Sequence, residues 1–336
     1  MRLLLIPDPT SPNGEDAFCR EIARRAPQRG HETTVQAIPN GPLAATLDQL
    51  SATGFALACD FVVINSLQPA ALLAAKAAGK KAAVRLVDSY ANASPTALEE
   101  VKLLALKADL VLVPSRHLGD IVKAWGANGQ VRHVPYAYDL VMAQQIALVT
   151  VRASRASFHV VSCCPLDEST RPGTETLLAA LARLRLDWHL SLIGEGPALG
   201  ALQQRVAQLL CADRVSFLPP MPHHKLMEFF RAAKAYVDPC GVDGFPSLAL
   251  YALSEGCPVI GARHGALREL IRDGENGLLF NLGDARALSE AVVTLSSVRG
   301  MSLNLIAEGI KTVGSHSWDN TVDATLTAIE GLMRTS

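Results

Sequence analysis

Short apolar runs alternate with amphipathic stretches along the first part of the chain. The runs predict six strands, at Arg2–Pro7, Thr33–Ile38, Phe61–Ser66, Ala82–Val87, Leu110–Ser115 and Val131–Pro135. The stretches between them predict helices, at Glu15–Gln28, Pro69–Gly79, Thr96–Ala108 and Leu118–Trp125. Nearly continuous apolar runs indicate strands that are buried on both faces, which is typical of a parallel sheet covered by helices.

The same rhythm restarts after a segment of helical pattern at Leu140–Ala153. Six further strands are predicted at His159–Cys164, His189–Ile193, Val215–Leu218, Ala235–Pro239, Pro258–Ala262 and Leu278–Phe280. Helices are predicted at Thr174–Leu184, Leu199–Leu210, Lys225–Ala233, Ser247–Glu255, Ala266–Arg272 and Asp284–Leu295. The chain therefore divides into two similar α/β halves, followed by a last helix at Ser317–Met333 with Ser317 as its N-cap.

Composition narrows the class of protein. Hydrophobic residues make up 49% of the chain and charged residues 19%, which excludes a disordered chain. The balance of 31 Lys and Arg against 32 Asp and Glu excludes a protein that binds nucleic acid simply through a strong positive charge. Seven cysteines without a framework spacing predict reduced thiols and a cytoplasmic protein.

The segment from Gly194 to Gly200 follows a strand and precedes a helix. It imitates the glycine pattern of a dinucleotide site, but it follows the second strand of its half rather than the first. Asp213, the nearest acid at the usual distance, lies before the next strand instead of at its end. Two interpretations stay open: a plain strand-to-helix turn, or a turn that also borders a nucleotide or phosphate.

The segment from Pro239 to Ser247 leads into another helix. Unpaired N–H groups and the dipole at a helix N-terminus suit a diphosphate, and Gly244 lets the backbone come close. Ser247 can cap the helix or bind a phosphate oxygen, and Asp243 is placed to project at the site. The alternative is an ordinary capped helix with a glycine-rich lead-in.

The loop after the first strand contains Asn13, Gly14 and Asp16. It is interpreted either as a simple turn and helix cap or as a substrate loop. Arg20, Arg24 and Arg25 on the following helix predict a solvated face, with an anionic membrane surface or acceptor as the alternative. No metal site is predicted, because the neighbours His223 and His224 point in different directions and have no third ligand close by in sequence.

A longer series of motifs carries a family resemblance. These motifs are Arg29–Glu32, Val134–Asp139, Gly194–Pro197, Arg214–Leu218, Arg231–Ala235, Asp243–Ser247, Glu255–Ile260, Glu269–Leu279 and Ser317–Trp318. The chain resembles the retaining, nucleotide-sugar-dependent glycosyltransferases of the GT-B fold, which have a "glycosyl transferases group 1" carboxyl domain. The resemblance covers nearly the whole chain and is most specific in its second half.

The resemblance implies an architecture and a reaction. Two Rossmann-like parallel-sheet domains would face each other across a cleft, with the C-terminal helix crossing back to the first. Residues 1–145 and 317–336 would form the acceptor side, and residues 146–316 would bind the nucleoside-diphosphate sugar. The acceptor would be a carbohydrate or glycoconjugate, and configuration would be retained. Neither a metal nor a separate cofactor is implied, nucleic acid is not a partner, and peripheral contact with the inner face of the membrane is left open.

The resemblance also assigns site residues. Asp243 takes the place of the acid that contacts the donor sugar, Arg171 is the nearest cation for the leaving diphosphate, and Asp88 follows the position of a cleft histidine. The implied donor-binding residues are Gly194, Glu195, Gly196, Gly244, Phe245, Pro246, Ser247 and Tyr251. On the acceptor side the implied loop residues are Asn13, Gly14 and Asp16.

Several family positions are replaced in this chain. The ribose-binding glutamate falls on Tyr251, a Gly-Arg pair falls near Cys163–Cys164, the usual lysine falls on Pro172, and the cleft histidine falls on Val87. Three hypotheses follow: an active glycosyltransferase with altered donor contacts, a catalytically impaired relative that binds a sugar, a nucleotide or a partner enzyme, or another GT-B chemistry such as sugar-nucleotide epimerisation.

Overall fold

The computed structural model describes residues 1–8, 16–38, 43–52, 54–55, 58–65, 67–88, 90, 93–127, 129–137, 157–241, 244–298 and 300–335. These residues form two compact units. The first unit contains the described residues within 1–137, 244–245 and 316–335, and the second those within 157–241 and 246–315. The predicted helix at 140–153 lies outside the described residues.

Six parallel strands and five helices alternate in the first unit up to residue 133. The elements are β1 (Arg2–Ile6), α1 (Ala17–Arg25), β2 (Glu32–Val35), α2 (Leu43–Ala52), β3 (Phe61–Asn65), α3 (Pro69–Ala77), β4 (Lys81–Arg85), α4 (Pro95–Lys107), β5 (Leu110–Val113), α5 (Arg116–Ala124) and β6 (Gln130–His133). The sheet order is β2-β1-β3-β4-β5-β6. Every residue of β3 and β5 is buried, as expected for central strands between two helical layers.

The second unit repeats the arrangement. Its elements are β7 (Phe158–Cys163), α6 (Arg171–Ala182), β8 (Trp188–Ile193), α7 (Leu199–Gln208), β9 (Val215–Leu218), α8 (His223–Ala232), β10 (Ala235–Asp238), α9 (Ser247–Ser254), β11 (Val259–Ala262), α10 (Leu267–Leu270), β12 (Leu278–Phe280), α11 (Ala285–Ser297) and α12 (Met301–Gly314). The parallel sheet has the order β12-β11-β10-β7-β8-β9. The two predicted sheets are thereby confirmed.

The last helix, α13 (Trp318–Arg334), belongs to the first unit. Its side chains Val322, Leu326, Ile329 and Leu332 pack into the same cluster as residues of β1. At about 1.5–3 kcal/mol for each fully buried side chain, this face contributes at most about 6–12 kcal/mol. Ser317 accepts a hydrogen bond from the Asn320 amide at 3.2 Å, which confirms the predicted N-cap. The expected return of the C-terminal helix to the first domain is also confirmed.

Ion pairs add to the contact between α1 and α13. Arg25 binds both Glu21 and Asp319, and Arg29 binds Asp319 at 3.1 Å and also Asp323. Arg24 binds Glu21 at 2.9 Å. Arg25 and Arg29 therefore join the first helical segment to α13, whereas Arg24 pairs within α1. No helix among the described residues is long and apolar enough to cross a bilayer.

Two helices were not predicted from the sequence. These are α2 and α12, and the latter begins after Gly300, which adopts a left-handed conformation with φ of 82°. The predicted first helix is also shorter than expected, because Pro27 falls in a 3-10 turn over Ala26–Arg29 that ends the regular helix at Arg25. Neither difference alters the strand order.

Candidate functional site

A pocket of about 490 Å³ opens in the second unit where β7, β8 and β9 end. Two pairs of residues that follow strands line it, Cys163–Cys164 and Gly194–Glu195. The remaining lining residues are Pro165, Ile193, Pro220, Met221, Leu226 and Leu248. In open α/β sheets the carboxyl ends of the strands are the usual place for a ligand. The pocket therefore brings together Cys163–Cys164, the Gly194–Glu195 turn and the first turn of α9, in which Leu248 lies.

The turn after β8 is held against the loop after β7 by backbone contacts. A Cβ on Gly194 would lie 2.0 Å from the carbonyl oxygen of Cys164, and one on Gly196 would lie 2.3 Å from that of Leu166. The Leu166 amide donates to the Glu195 carbonyl at 2.9 Å. Both glycines are thus required by close backbone packing, which confirms the strand-to-helix turn. The same turn lines the pocket, and its contact with a nucleotide or phosphate stays a prediction.

The turn after β10 is organised by a buried carboxylate that the sequence analysis did not single out. One Asp238 oxygen accepts from the amides of Cys240 at 3.2 Å and Gly241 at 2.9 Å. Burial raises the pKa of Asp238, and these two amide donors oppose that rise. The signal was present in the sequence, because an Asp side chain often accepts from the backbone amide two residues on and so turns the chain. Asp243, the predicted sugar contact, lies outside the described residues.

Helix α9 begins at the pocket. Its first residue is Ser247, and the N-cap position is occupied by Pro246, with no side-chain hydrogen bond capping the helix. The suggestion that Ser247 caps this helix is therefore wrong, because the chain enters helical geometry one residue earlier than a serine cap requires. The amides of this first turn carry partial positive charge, and the neighbouring Leu248 lines the pocket.

Gly244 and Phe245 group with the first unit. A Cβ on Gly244 would lie 2.2 Å from the Val87 carbonyl oxygen and 3.2 Å from the Cα of Asp88. Phe245 stacks on Tyr136, with ring centroids 4.5 Å apart and planes 5° from parallel. The structure gives Gly244 a packing role next to Asp88, and its contact with a diphosphate stays a prediction.

Arg171 is the first residue of α6. It binds Glu168 at 2.9 Å and lies 3.9 Å from Glu175, with 39% of its side chain exposed. The start of this helix is close to the turn after β10, because a Cβ on Gly173 would lie 2.6 Å from the carbonyl oxygen of Pro239. Arg171 is thus placed at the same sheet edge as the pocket, but part of its charge is already balanced by glutamates.

Tyr251 packs against α8. Its ring meets the ring of His223 edge to face, with centroids 4.8 Å apart. The same two helices are joined by an ion pair between Arg231 and the fully buried Glu255 at 2.9 Å. Burial lowers the pKa of His223. Tyr251 is therefore part of a helix–helix contact in this structure.

In the first unit, the predicted acceptor-side residue Asp16 is buried and fully engaged. One of its oxygens accepts from the amides of Phe18 at 2.9 Å and Cys19 at 3.1 Å, which caps α1. The other accepts from the Asp8 amide at 2.7 Å and the Asn65 side chain at 2.6 Å. The turn-and-cap interpretation of Asp16 is therefore confirmed, while Asn13 and Gly14 lie outside the described residues.

Two polar residues that the sequence analysis missed complete this edge of the first sheet. Arg85, the last residue of β4, donates to the Asn65 side chain at 3.0 Å. Its guanidinium lies over the Phe18 ring, 4.4 Å from the centroid. Burial lowers the pKa of Arg85, and Tyr136 and Asp16 oppose that change. Single polar residues at strand ends form no local motif, so only the sheet order shows that they meet.

Comparison with known proteins bears on the second half of the chain. The family model described as "Glycosyl transferases group 1" matches residues 169–312. Residues 169–312 are a glycosyl transferases group 1 domain. This domain contains the turn after β8, the turn after β10 and helices α6 to α11. The carboxyl domain expected from the resemblance is thereby confirmed.

Curated relatives match part of the chain. D-inositol 3-phosphate glycosyltransferase of Acidothermus cellulolyticus is 37% identical over 125 residues, which is 37% of this chain and 28% of the relative. The enzyme of that name from Geodermatophilus obscurus is 34% identical over 166 residues, or 46% of this chain and 36% of the relative. The matched part thus spans about a third of the length of these relatives.

Solved structures match the whole chain. HepE of Anabaena, in complex with UDP and glucose, superimposes with a TM-score of 0.76 at 17% identity, covering 98% of this chain and 100% of that chain. Sucrose-phosphate synthase of Thermosynechococcus elongatus gives a TM-score of 0.72 at 20% identity, covering both chains fully. The chain has the GT-B fold, with a group 1 domain in its second half.

Proposed function

We propose that this protein is a hexosyltransferase-like enzyme that transfers a sugar from a nucleoside-diphosphate sugar to an acceptor hydroxyl. Configuration is retained in this proposal, and neither a metal ion nor a separate cofactor takes part. The group 1 domain and the relatives named glycosyltransferases support the reaction class. HepE was solved with UDP-glucose, which supports a nucleotide sugar as the donor.

The observation that carries the proposal is the pocket in the group 1 domain. It is lined by the Gly194–Glu195 turn and by Leu248 of the first turn of α9. Predominantly apolar walls suit a flat base, and the helix N-terminus next to them suits the phosphates. A nucleoside diphosphate needs both surfaces side by side, and this pocket supplies them within one unit.

Each predicted residue then has a role in the proposed reaction. Asp243 holds the donor sugar, and the amides around Gly244–Ser247 hold the diphosphate. Arg171 balances the charge that develops on the departing phosphate, which is the position where electrostatic stabilisation has most effect. In a retaining transfer without a metal, the departing phosphate takes the proton of the acceptor hydroxyl. Asp88 is proposed to contact the reacting groups from the acceptor side.

The acceptor in this proposal is a carbohydrate or glycoconjugate bound by the first unit, and the enzyme acts in the biosynthesis of polysaccharides or glycoconjugates in the cytoplasm. Peripheral membrane contact gains no support from the arginines of α1, because Arg24 and Arg25 bind acidic side chains.

Calorimetric titration with UDP tests the proposal, using a variant that fills the pocket. Leu248→Trp adds an indole to the pocket wall, whereas Leu282→Trp makes the same change at a leucine that is 51% exposed. We expect Leu248→Trp to weaken UDP binding at least about tenfold, or 1.4 kcal/mol, and Leu282→Trp to leave it unchanged. Release of UDP from UDP-glucose in the presence of acceptor sugars then tests transfer.

The two readouts, UDP binding and sugar transfer, separate the active enzyme from the impaired relative. Binding of UDP with transfer supports the enzyme. Binding of UDP without transfer to any acceptor or to water supports the impaired relative that binds nucleotide. A folded wild-type protein that binds no nucleoside diphosphate contradicts the assignment of this pocket.

A further inference from the structure

Two thiols come together where β7 and β10 end. Cys164 directly follows β7, and Cys240 lies two residues beyond the end of β10. The strands are parallel neighbours in which Tyr236 lies opposite Val161, so the register places Pro239 opposite Cys164. Cys240 is the next residue, which puts the two Cα atoms about 6 Å apart if the strand spacing continues. That separation lies within the range that a disulfide spans.

Side-chain contacts show that the segments after β7 and β10 stay close together beyond the ends of the strands. The Cys240 thiol donates to the Thr170 carbonyl at 3.4 Å, and the Thr174 hydroxyl donates to the same carbonyl at 3.1 Å. The Cys164 sulfur lies 3.6 Å from the Thr174 hydroxyl. Both sulfurs therefore contact the first turn of α6 or the residue before it, where the helix dipole stabilises a thiolate.

The two thiols differ in chemistry. Interactions with Cys240 and Thr174 lower the pKa of Cys164, whereas the interaction with Cys164 and then burial raise the pKa of Cys240. Cys164 also lines the open pocket, which gives a small oxidant access to it. Cys19, Cys59, Cys211 and Cys257 are buried, and burial raises the pKa of the neighbouring Cys163. Cys164 is thus the thiol best suited to attack an oxidant, with Cys240 placed to react next.

We propose that Cys164 and Cys240 form a reversible disulfide when the protein meets a peroxide. The Cys164 sulfur attacks one peroxide oxygen, the O–O bond breaks, and hydroxide leaves as water with the thiol proton. The Cys240 sulfur then attacks the Cys164 sulfur, the S–S bond forms, and the S–O bond breaks with release of a second water. Two thiols are oxidised by two electrons in total, and one peroxide is reduced.

Under the proposed function, the disulfide changes the pocket of the second unit, which would bind the nucleotide. Cys164 is a wall of the pocket, and Cys240 begins the segment that leads to Gly244 and Ser247. A bond between them fixes this segment to the loop after β7 and draws the Cys164 sulfur out of its present contacts. Oxidation is therefore expected to lower affinity for a nucleoside diphosphate. This consequence rests on the proposed function, whereas formation of the disulfide does not.

Peptide mapping by mass spectrometry tests the disulfide directly. The wild-type protein is treated with hydrogen peroxide, blocked with iodoacetamide and digested. We expect a cross-linked peptide pair that contains Cys164 and Cys240, that is two hydrogens lighter than the sum of its thiol forms, and that dithiothreitol separates. Cys163→Ser is the matched control, since it removes the adjacent thiol and is expected to leave this cross-link intact.

Variants of the two proposed partners complete the test. Cys164→Ser removes the cross-link, and Cys240→Ser leaves Cys164 as a sulfenic acid that dimedone labels. Thermal melting confirms that each variant is folded. The proposal is overturned if the oxidised wild-type protein keeps both thiols free, or if the cross-link joins Cys163 instead. The UDP affinity of the oxidised protein is measured separately, so a failure of nucleotide binding leaves the mapping result intact.

Discussion

At the carboxyl edge of the first sheet, polar side chains bind one another, whereas at the same edge of the second sheet two glycines pack one backbone turn against another. Asp16, Asn65 and Arg85 form a connected set in the first unit. In the second unit, Gly194 and Gly196 bring one turn against another and leave an open pocket beside it. Among the described residues, the two sheets of similar topology thus end in one edge of mutually bonded polar side chains and one edge with a pocket between backbone turns.

This difference explains where the family match lies. Backbone turns need glycine and proline at fixed spacings, so they leave motifs that can be recognised in a sequence. A network of single side chains from three separate elements leaves no such motif in the sequence. The group 1 match accordingly covers residues 169–312, which contain the glycine turn of the second sheet.

The largest effect is expected from a side chain at the glycine turn. Gly194→Ala places a methyl group 2.0 Å from the Cys164 carbonyl oxygen, so the turn must move. We expect the free energy of unfolding to fall by about 3 kcal/mol or more. Gly200→Ala, in α7 with nothing within 4 Å of the added carbon, is the control and should be neutral or stabilising. Urea unfolding measures both, and equal stability of the two variants would contradict the packing role.

A smaller loss is expected at the first sheet. Asp16→Ala removes the acceptor of four hydrogen bonds, including the cap of α1. Because buried donors are left without a partner, we expect the free energy of unfolding to fall by about 2–3 kcal/mol. Glu195→Ala changes an exposed side chain at the carboxyl edge of the second sheet, and it should lower the free energy of unfolding by less than about 0.5 kcal/mol. Similar losses for the two variants would remove the contrast between the edges.

The sequence predicted the two sheets well, because buried parallel strands are apolar on both faces and local in the chain. It missed α2 and α12 and the residues whose partners lie on other strands. Asn65 and Arg85 come from β3 and β4, and they meet only because these strands are neighbours. Asp238 had a recognisable turn signal that went unused. The alternatives for Ser247, a helix cap or a phosphate contact, could not be separated in advance, because both place a serine hydroxyl at the start of a helix.

Removal of the positive charge of Arg171 is expected to have an intermediate effect, here on UDP binding. Arg171→Ala should weaken UDP binding about tenfold or more, because a charge-assisted hydrogen bond contributes about 1.5–3 kcal/mol. Arg183→Ala makes the same change at the other end of α6 and is expected to leave affinity unchanged. Calorimetry at low salt compares the two. Unchanged affinity in Arg171→Ala would show that Arg171 stays paired with Glu168 and Glu175 and does not bind the diphosphate.

The smallest effect is expected at Tyr251. Tyr251→Phe keeps the edge-to-face contact with His223 and removes one hydroxyl, so UDP affinity should change by less than about 1.5 kcal/mol. Tyr251→Glu restores a carboxylate that can accept two ribose hydroxyls, and we expect tighter binding. A folded Tyr251→Glu protein that no longer binds UDP would show that the ring contact shapes the pocket.

A crystal structure of the protein with UDP would show where on the chain the nucleotide binds. We predict that the base occupies the pocket lined by Cys164, Gly194 and Leu248, with diphosphate oxygens within hydrogen-bonding distance of the amides in the first turn of α9. Density for UDP elsewhere on the chain, with this pocket empty at saturating nucleotide, would contradict the account.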